Sequence, residues 1–207
     1  MTNGTSATFG AISLSNASSI DTTNAGTQFG DAIVMGAVTS GGYALTLNSG
    51  TASISGTVVS GGGDLNIAGA STVTFSGAIS AGTINLGDIS TAVTFNGLVT
   101  ASGGFTTDAI QRAHSLAFNA GSNIGGSYVE FNNSGGVSLV GTNLFSGGLL
   151  STVSTTIING DVRTEGQGIQ LGSVTLAGTN SSIDATNNGS TTTVSYTHLR
   201  AHETLRY

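Results

Sequence analysis

Val73-Thr74-Phe75-Ser76-Gly77-Ala78-Ile79 and, twenty residues on, Val93-Thr94-Phe95-Asn96-Gly97-Leu98-Val99 decide the fold. Four of the seven positions are identical, and the other three exchange residues of similar size and polarity. Apolar and small polar residues alternate within each copy, the period of a strand with one buried face. A repeat about 20 residues long signals a solenoid, propeller or array.

The phrase recurs upstream as Gly56-Thr57-Val58-Val59-Ser60-Gly61-Gly62 and Gly36-Ala37-Val38-Thr39-Ser40-Gly41-Gly42. Downstream it returns as Ile158-Asn159-Gly160-Asp161-Val162, with a first half at Val174-Thr175-Leu176-Ala177-Gly178. Its glycines step by 20, 21 and 20 residues from Gly36 to Gly97, and Gly160 follows 63 residues later, three steps of 21. A shorter phrase lies between the copies: Leu45-Thr46-Leu47, Leu65-Asn66-Ile67, Ile84-Asn85-Leu86 and Ile169-Gln170-Leu171. One rung therefore reads as two short strands joined by Gly/Ser/Ala/Asp turns, since glycine makes repeated tight corners cheap.

The expected architecture is all-β: a β-solenoid, specifically a right-handed parallel β-helix with rungs of about 20 residues. A single rung cannot bury its apolar face, so several must stack before the fold is stable. Stacking places Phe75 near Phe95 and Leu65 near Ile84, with Ser53, Thr74 and Thr94 in an outward polar ladder. About nine rungs at about 4.8 Å each predict a rod about 45 Å long. The regular pattern covers residues 7–104, apart from an insertion expected around Asn16 to Gln28. Between Leu116 and Leu150 the register is ambiguous: Tyr128-Val129-Glu130-Phe131-Asn132 and Val137-Ser138-Leu139-Val140-Gly141 both resemble the long strand.

Composition narrows the function classes. Charged residues are 7% of the 207-residue chain, far below the usual quarter. Apolar alternation opposes disorder, and no apolar run approaches the roughly 18 residues of a membrane helix. With no Lys, four Arg and ten acidic residues, the clustered cations of a nucleic-acid footprint are missing. The absence of Cys excludes disulfides and thiolate metal sites. Pro is absent too, which suits a backbone whose N–H groups are engaged in ladders. Residues 1–20 carry no basic segment followed by an apolar core, so the chain reads as an internal piece of a longer exported protein.

Residues 1–195 form the repeat domain, and 196–207 break its composition, with two of the four Arg and two of the three His in twelve residues. Ser195 to Thr204 resembles translated sequencing-adapter sequence, familiar at the broken ends of metagenomic reading frames, so this tail is set aside from the fold. His198 and His202 beside Glu203 have the spacing of a zinc pair, but they lie within that tail.

Candidate chemistry is sparse. In the body of the repeat, Asp, Arg and His gather only in Thr107 to Ser115, where Asp108, Arg112 and His114 make a candidate recognition loop. Asp108 is expected to cap a short helical turn and pair with Arg112 four residues on. The plainer reading is a solvated insertion between rungs. Glycosidic hydrolysis needs two carboxylates across a groove, whereas Asp31, Asp64, Asp88 and Asp161 fall at different corners, mostly in turn phrases. Gly61-Gly62-Gly63-Asp64-Leu65 does not iterate as a calcium nonapeptide does. Thr72-Val73-Thr74 has no Thr-x-Thr counterpart at Ala92-Val93-Thr94, as an ice-binding face requires. No cofactor is expected.

Phrases such as Ala44-Leu45-Thr46-Leu47-Asn48-Ser49-Gly50 and Val93-Thr94-Phe95-Asn96-Gly97-Leu98-Val99 resemble the repeat regions of large bacterial surface adhesins, the filamentous-haemagglutinin-like and autotransporter-passenger proteins. The resemblance covers residues 7–194 and is one of style and period. It implies a non-enzymatic structural or adhesive stalk at the outer-membrane surface or outside the cell. Its implied partners are neighbouring repeats of the same polypeptide and surface glycans or proteins, with no nucleic acid and no membrane span. A carbohydrate-active β-helix, lyase or hydrolase-like, is the alternative expectation, and an ice-binding solenoid the third.

Overall fold

A computed structural model describes residues 6–26, 29–187 and 189. Among them every regular element is a strand, and the strands stack in parallel as a β-solenoid of about eight turns with rungs about 20 residues apart. At about 4.8 Å per turn the stack is roughly 38 Å long, slightly shorter than the nine-rung expectation.

Among the described residues, every rung up to the one that begins at Thr156 has three strands where the sequence reading gave two. In the rung that begins at Thr72, the first face runs over 72–75, the second over 79–81 and the third over 84–86. The long phrase is thus two strands, broken at the glycine inside it. Gly97 lies so close over Gly77 that a Cβ there would sit 2.3 Å from the Gly77 carbonyl carbon. This corner closes only with glycine stacked on glycine.

The first face carries the deepest ladder. Ile33, Ile54, Val73, Val93, Leu116, Val137, Thr156 and Val174 stand in register, one per turn. Two residues on, Phe75, Phe95 and Phe118 form an inward column, as expected for the first two. Phe75 and Phe95 stack with centroids 6.1 Å apart and planes 6° apart, and Phe95 meets Phe118 at 5.3 Å. Phe105 and Phe131 enter this interior edge-on or tilted, and Phe145 meets Phe131 edge-on at 5.8 Å. On the third face, Leu45, Leu65, Ile84 and Phe105 stack in register, which includes the expected Leu65–Ile84 pair.

The glycine spacing misplaced one rung. Gly56 pairs with Phe75 and does not occupy the Gly77 position. A Cβ at Gly56 would approach the Phe75 ring to 2.8 Å, so the missing side chain makes room for the ring. From Gly97 to Gly160 the chain does complete three rungs, but of 23, 21 and 19 residues, as the column Val93, Leu116, Val137, Thr156 shows. The outward ladder is also shifted: Ser55, not Ser53, lies beside Thr74 and Thr94, while Ser53 lies beside Thr72.

Both ambiguous segments are strands, on different faces. Val129–Glu130 belongs to the third face and pairs with Leu149–Ser151, whereas Val137–Phe145 covers the first face and turns onto the second. The insertion expected from Asn16 begins later, because Ser18–Asp21 is a strand paired with Leu45–Asn48. Beyond Gly121 the interior takes up polar side chains, several of them paired with one another. The buried Ser122 hydroxyl donates to Asn143 Oδ1 at 3.0 Å, and the Ser151 and Thr156 hydroxyls meet across the interior at 2.8 Å. The tail 196–207, with His198, His202 and Glu203, lies outside the described residues.

Candidate functional site

Two insertions interrupt the rungs, 22–31 and 107–114, and both leave at the corner between the third face and the first. A parallel ladder tolerates extra residues only at corners, where no strand register is disturbed.

The first insertion is tied down by short side chains. Asp21 Oδ1 accepts the Thr23 N–H at 2.7 Å and the Thr23 hydroxyl at 2.6 Å. The Thr23 hydroxyl in turn accepts the Gly26 N–H at 2.8 Å. These bonds, the Thr23 hydroxyl foremost, hold the Asp21 carboxyl below the usual range. The Thr22 hydroxyl donates to the Asp31 carbonyl at 2.7 Å and closes the loop. Phe29 is anchored through its backbone: its carbonyl accepts the Thr51 N–H at 2.8 Å and the Thr51 hydroxyl at 3.0 Å. Its ring is 84% exposed.

The second insertion holds the residues singled out from the sequence. Asp108 and Arg112 pair at 2.9 Å, four residues apart as expected. The expected helical turn is absent, because Asp108 Oδ1 accepts the Ile110 N–H at 3.0 Å and fixes a tight non-helical bend. Arg112 Nη1 also reaches Asp88 Oδ1 at 2.9 Å, on the preceding rung. One guanidinium thus bridges two carboxylates and straps the insertion onto the rod. The Ile110 N–H and then Arg112 hold Asp108 below the carboxylate range, and Asp108 raises Arg112.

His114 does not join them. It is 1% exposed and turned into the corner, where neither ring nitrogen has a partner of hydrogen-bond geometry, although the Ile89 carbonyl faces the ring. Burial pushes its pKa down, Arg112 adds to that, and the Ile89 carbonyl and Asp108 oppose it. The backbone around it is held by the next rung. The buried Asn133 amide donates to the His114 and Gly136 carbonyls at 3.0 and 2.9 Å, and the Ser154 hydroxyl donates to the Asn133 carbonyl. His114 is therefore a corner-filling residue, and the recognition loop read from the sequence reduces to Asp108 and Arg112.

Thr107 repairs the ladder at the insertion. Its hydroxyl donates to the Glu130 carbonyl and accepts the Asn132 N–H, both at 3.0 Å, bridging to Val129–Glu130, where the strand pairing of the third face is broken.

The insertions flank an open trough. Asp88 pairs with Gly69 and Gly69 with Asn48, while Gly50, two residues beyond Asn48, lies beside Gly69 and against the Phe29 carbonyl, so Phe29, Gly50, Gly69 and Asp88 come together from four successive turns. The trough encloses about 290 Å³, and Asn48 and Ser90 add to its lining. Sequence reasoning missed Asp88 as a partner of Arg112. The signal was present, because Asp88 precedes Asp108 by one repeat period. Comparison with known protein families, with curated proteins and with solved structures yields no match.

Proposed function

We propose that this chain is a structural and adhesive stalk segment of an exported bacterial surface protein, standing outside the cell or on the outer-membrane surface and without catalytic activity. The observation that carries the reading is the continuity of the stack. One inward column runs in register from Ile33 to Val174, and aromatic rings link turn to turn from Phe75 to Phe145. A rod whose turns each contact only their neighbours provides reach and stiffness by repetition. Neighbouring repeats of the same polypeptide are its natural partners at each end, and surface glycans or proteins along its sides.

The carboxylates that come together also support a mechanical role. Asp88 and Asp108 share Arg112, which straps the second insertion onto the rod, and Asp108 is held below the usual carboxylate range by the Ile110 N–H and Arg112. The test is to couple the chain to beads and follow retention on surfaces coated with polysaccharides or cell-wall extracts, while assaying the same polysaccharides for cleavage. The stalk reading expects retention without release of reducing or unsaturated sugar ends. Catalytic release of such ends would replace it with the carbohydrate-active reading.

A further inference from the structure

We infer that the trough between Phe29 and Asp88 is a binding site for a short neutral saccharide lying along the rod axis. The inference goes beyond the stalk reading and does not depend on export, since a free rod would carry the same site.

The floor is built on two glycines and the Asn48 amide oxygen. Gly50 has φ +58°, and a Cβ there would stand 2.5 Å from the Phe29 carbonyl oxygen; a Cβ at Gly69 would stand 3.0 Å from Asn48 Oδ1. Gly50 and Gly69 therefore present no side chain of their own, the Asn48 amide oxygen fills the space beside them, and the turns on either side present Phe29 and Asp88. At about 4.8 Å per turn those walls are roughly 14 Å apart along the axis, a span that takes two linked sugar rings.

The walls differ in the way a sugar requires. Phe29 is fixed through its carbonyl by Thr51, yet its ring is 84% exposed. A ring projecting into water from an anchored backbone offers an apolar platform, which suits the C–H face of a pyranose. At the other end Asp88 Oδ1 is held by Arg112, so the carboxylate is oriented in advance. A carboxylate has about four acceptor positions, which leaves capacity for two vicinal hydroxyls, with the exposed Ser90 hydroxyl on the same wall.

Charge and size narrow the ligand. Arg112, the cation at the trough, already serves two carboxylates, so phosphates and uronates meet net repulsion. The Asn48 amide and the Thr23 hydroxyl bond to each other at 3.2 Å and both reach Asp21, which makes them a stiff flank. A volume near 290 Å³ sits at the low end of small-ligand sites, about 300–1,000 Å³. A mono- or disaccharide fits that volume better than a folded partner does.

The experiment is a titration of the ¹⁵N-labelled chain with cellobiose, lactose, maltose and chitobiose, read at the amides of Gly50 and Gly69. At least one disaccharide is expected to shift them saturably. Phe29→Ala and Phe29→Leu should each weaken binding at least tenfold, and Asp88→Asn should weaken it severalfold. Phe9→Ala, which removes an exposed ring elsewhere, should leave it unchanged. Unmoved Val73 and Val93 amides report that each variant keeps its core. The inference is overturned if no disaccharide shifts the trough at millimolar concentration, if shifts survive both Phe29 variants, or if glucuronate or inorganic phosphate binds in place of the neutral sugars.

Discussion

Phe95 packs on Phe75 at 6.1 Å, on Phe118 at 5.3 Å and on Phe105 at 6.2 Å, with no exposed surface. Truncating a buried Phe typically costs about 3–5 kcal/mol through lost transfer energy and the cavity left behind. Phe95→Ala is therefore expected to lower unfolding free energy by about that amount in urea titration. Phe29→Ala, which removes an exposed ring, should change it little. Gly56 gives the complementary case: Gly56→Val places a side chain where the Phe75 ring lies, 2.8 Å from the would-be Cβ, and should destabilise by overpacking. His114 makes stability depend on pH. Its folded pKa is depressed by burial, so between that value and its ordinary value of about 6.5 the unfolded chain binds more protons. Stability is then complete above about pH 6.5 and falls as the pH drops through the depressed folded value. Asp21 and Asp108, both held below the carboxylate range, add their own dependence only below about pH 4, the ordinary carboxylate value. Urea midpoints at about pH 7.5 and about pH 5 should therefore differ for the native chain and converge in His114→Leu.

At the scale of the rung, the sequence shows its period and its inward residues plainly, because identical side chains must stack. The pairs Phe75–Phe95 and Leu65–Ile84 follow from alternation alone. What it conceals is where one strand ends. Val73 to Ile79 alternates without interruption through Gly77, so two faces read as one strand, and only the close approach of Gly97 to Gly77 reveals the corner. Gly56 misleads for the opposite reason: its glycine serves a neighbour's ring and not a turn. In the candidate site the Asp108–Arg112 pair is legible from local spacing. The trough is not, since Phe29, Gly50, Gly69 and Asp88 meet only after the turns stack. Thr107 and Arg112 separate two kinds of anchoring at the second insertion. Thr107→Val removes two hydrogen bonds that stand in for a broken ladder, at a cost of roughly 1–2 kcal/mol, and should speed amide exchange at Asn132. Arg112→Gln breaks surface pairs of small net worth. Its urea midpoint should stay within error while exchange at Ile110 rises.

The whole molecule is a linear stack, and stability built from nearest-neighbour contacts varies along such a stack. Turns that carry both the Phe column and unbroken ladders, from Leu65 to Phe105, should show the slowest amide exchange, and the two insertions the fastest. The most direct test of the account is a distance ladder. The chain has no Cys, so pairs of introduced cysteines can carry spin labels without background. Val34, Ser55, Thr74, Thr94, Ala117, Ser138, Ile157 and Thr175 face outward in one column, one per turn. Pulsed electron–electron resonance on Ser55/Ser138, Ser55/Thr175 and Val34/Thr175 spans four, six and seven turns of that column. The account predicts mean distances near about 19, 29 and 34 Å, rising by about 4.8 Å per turn. Distances that fail to rise along this series, as an antiparallel sandwich would give, would contradict it.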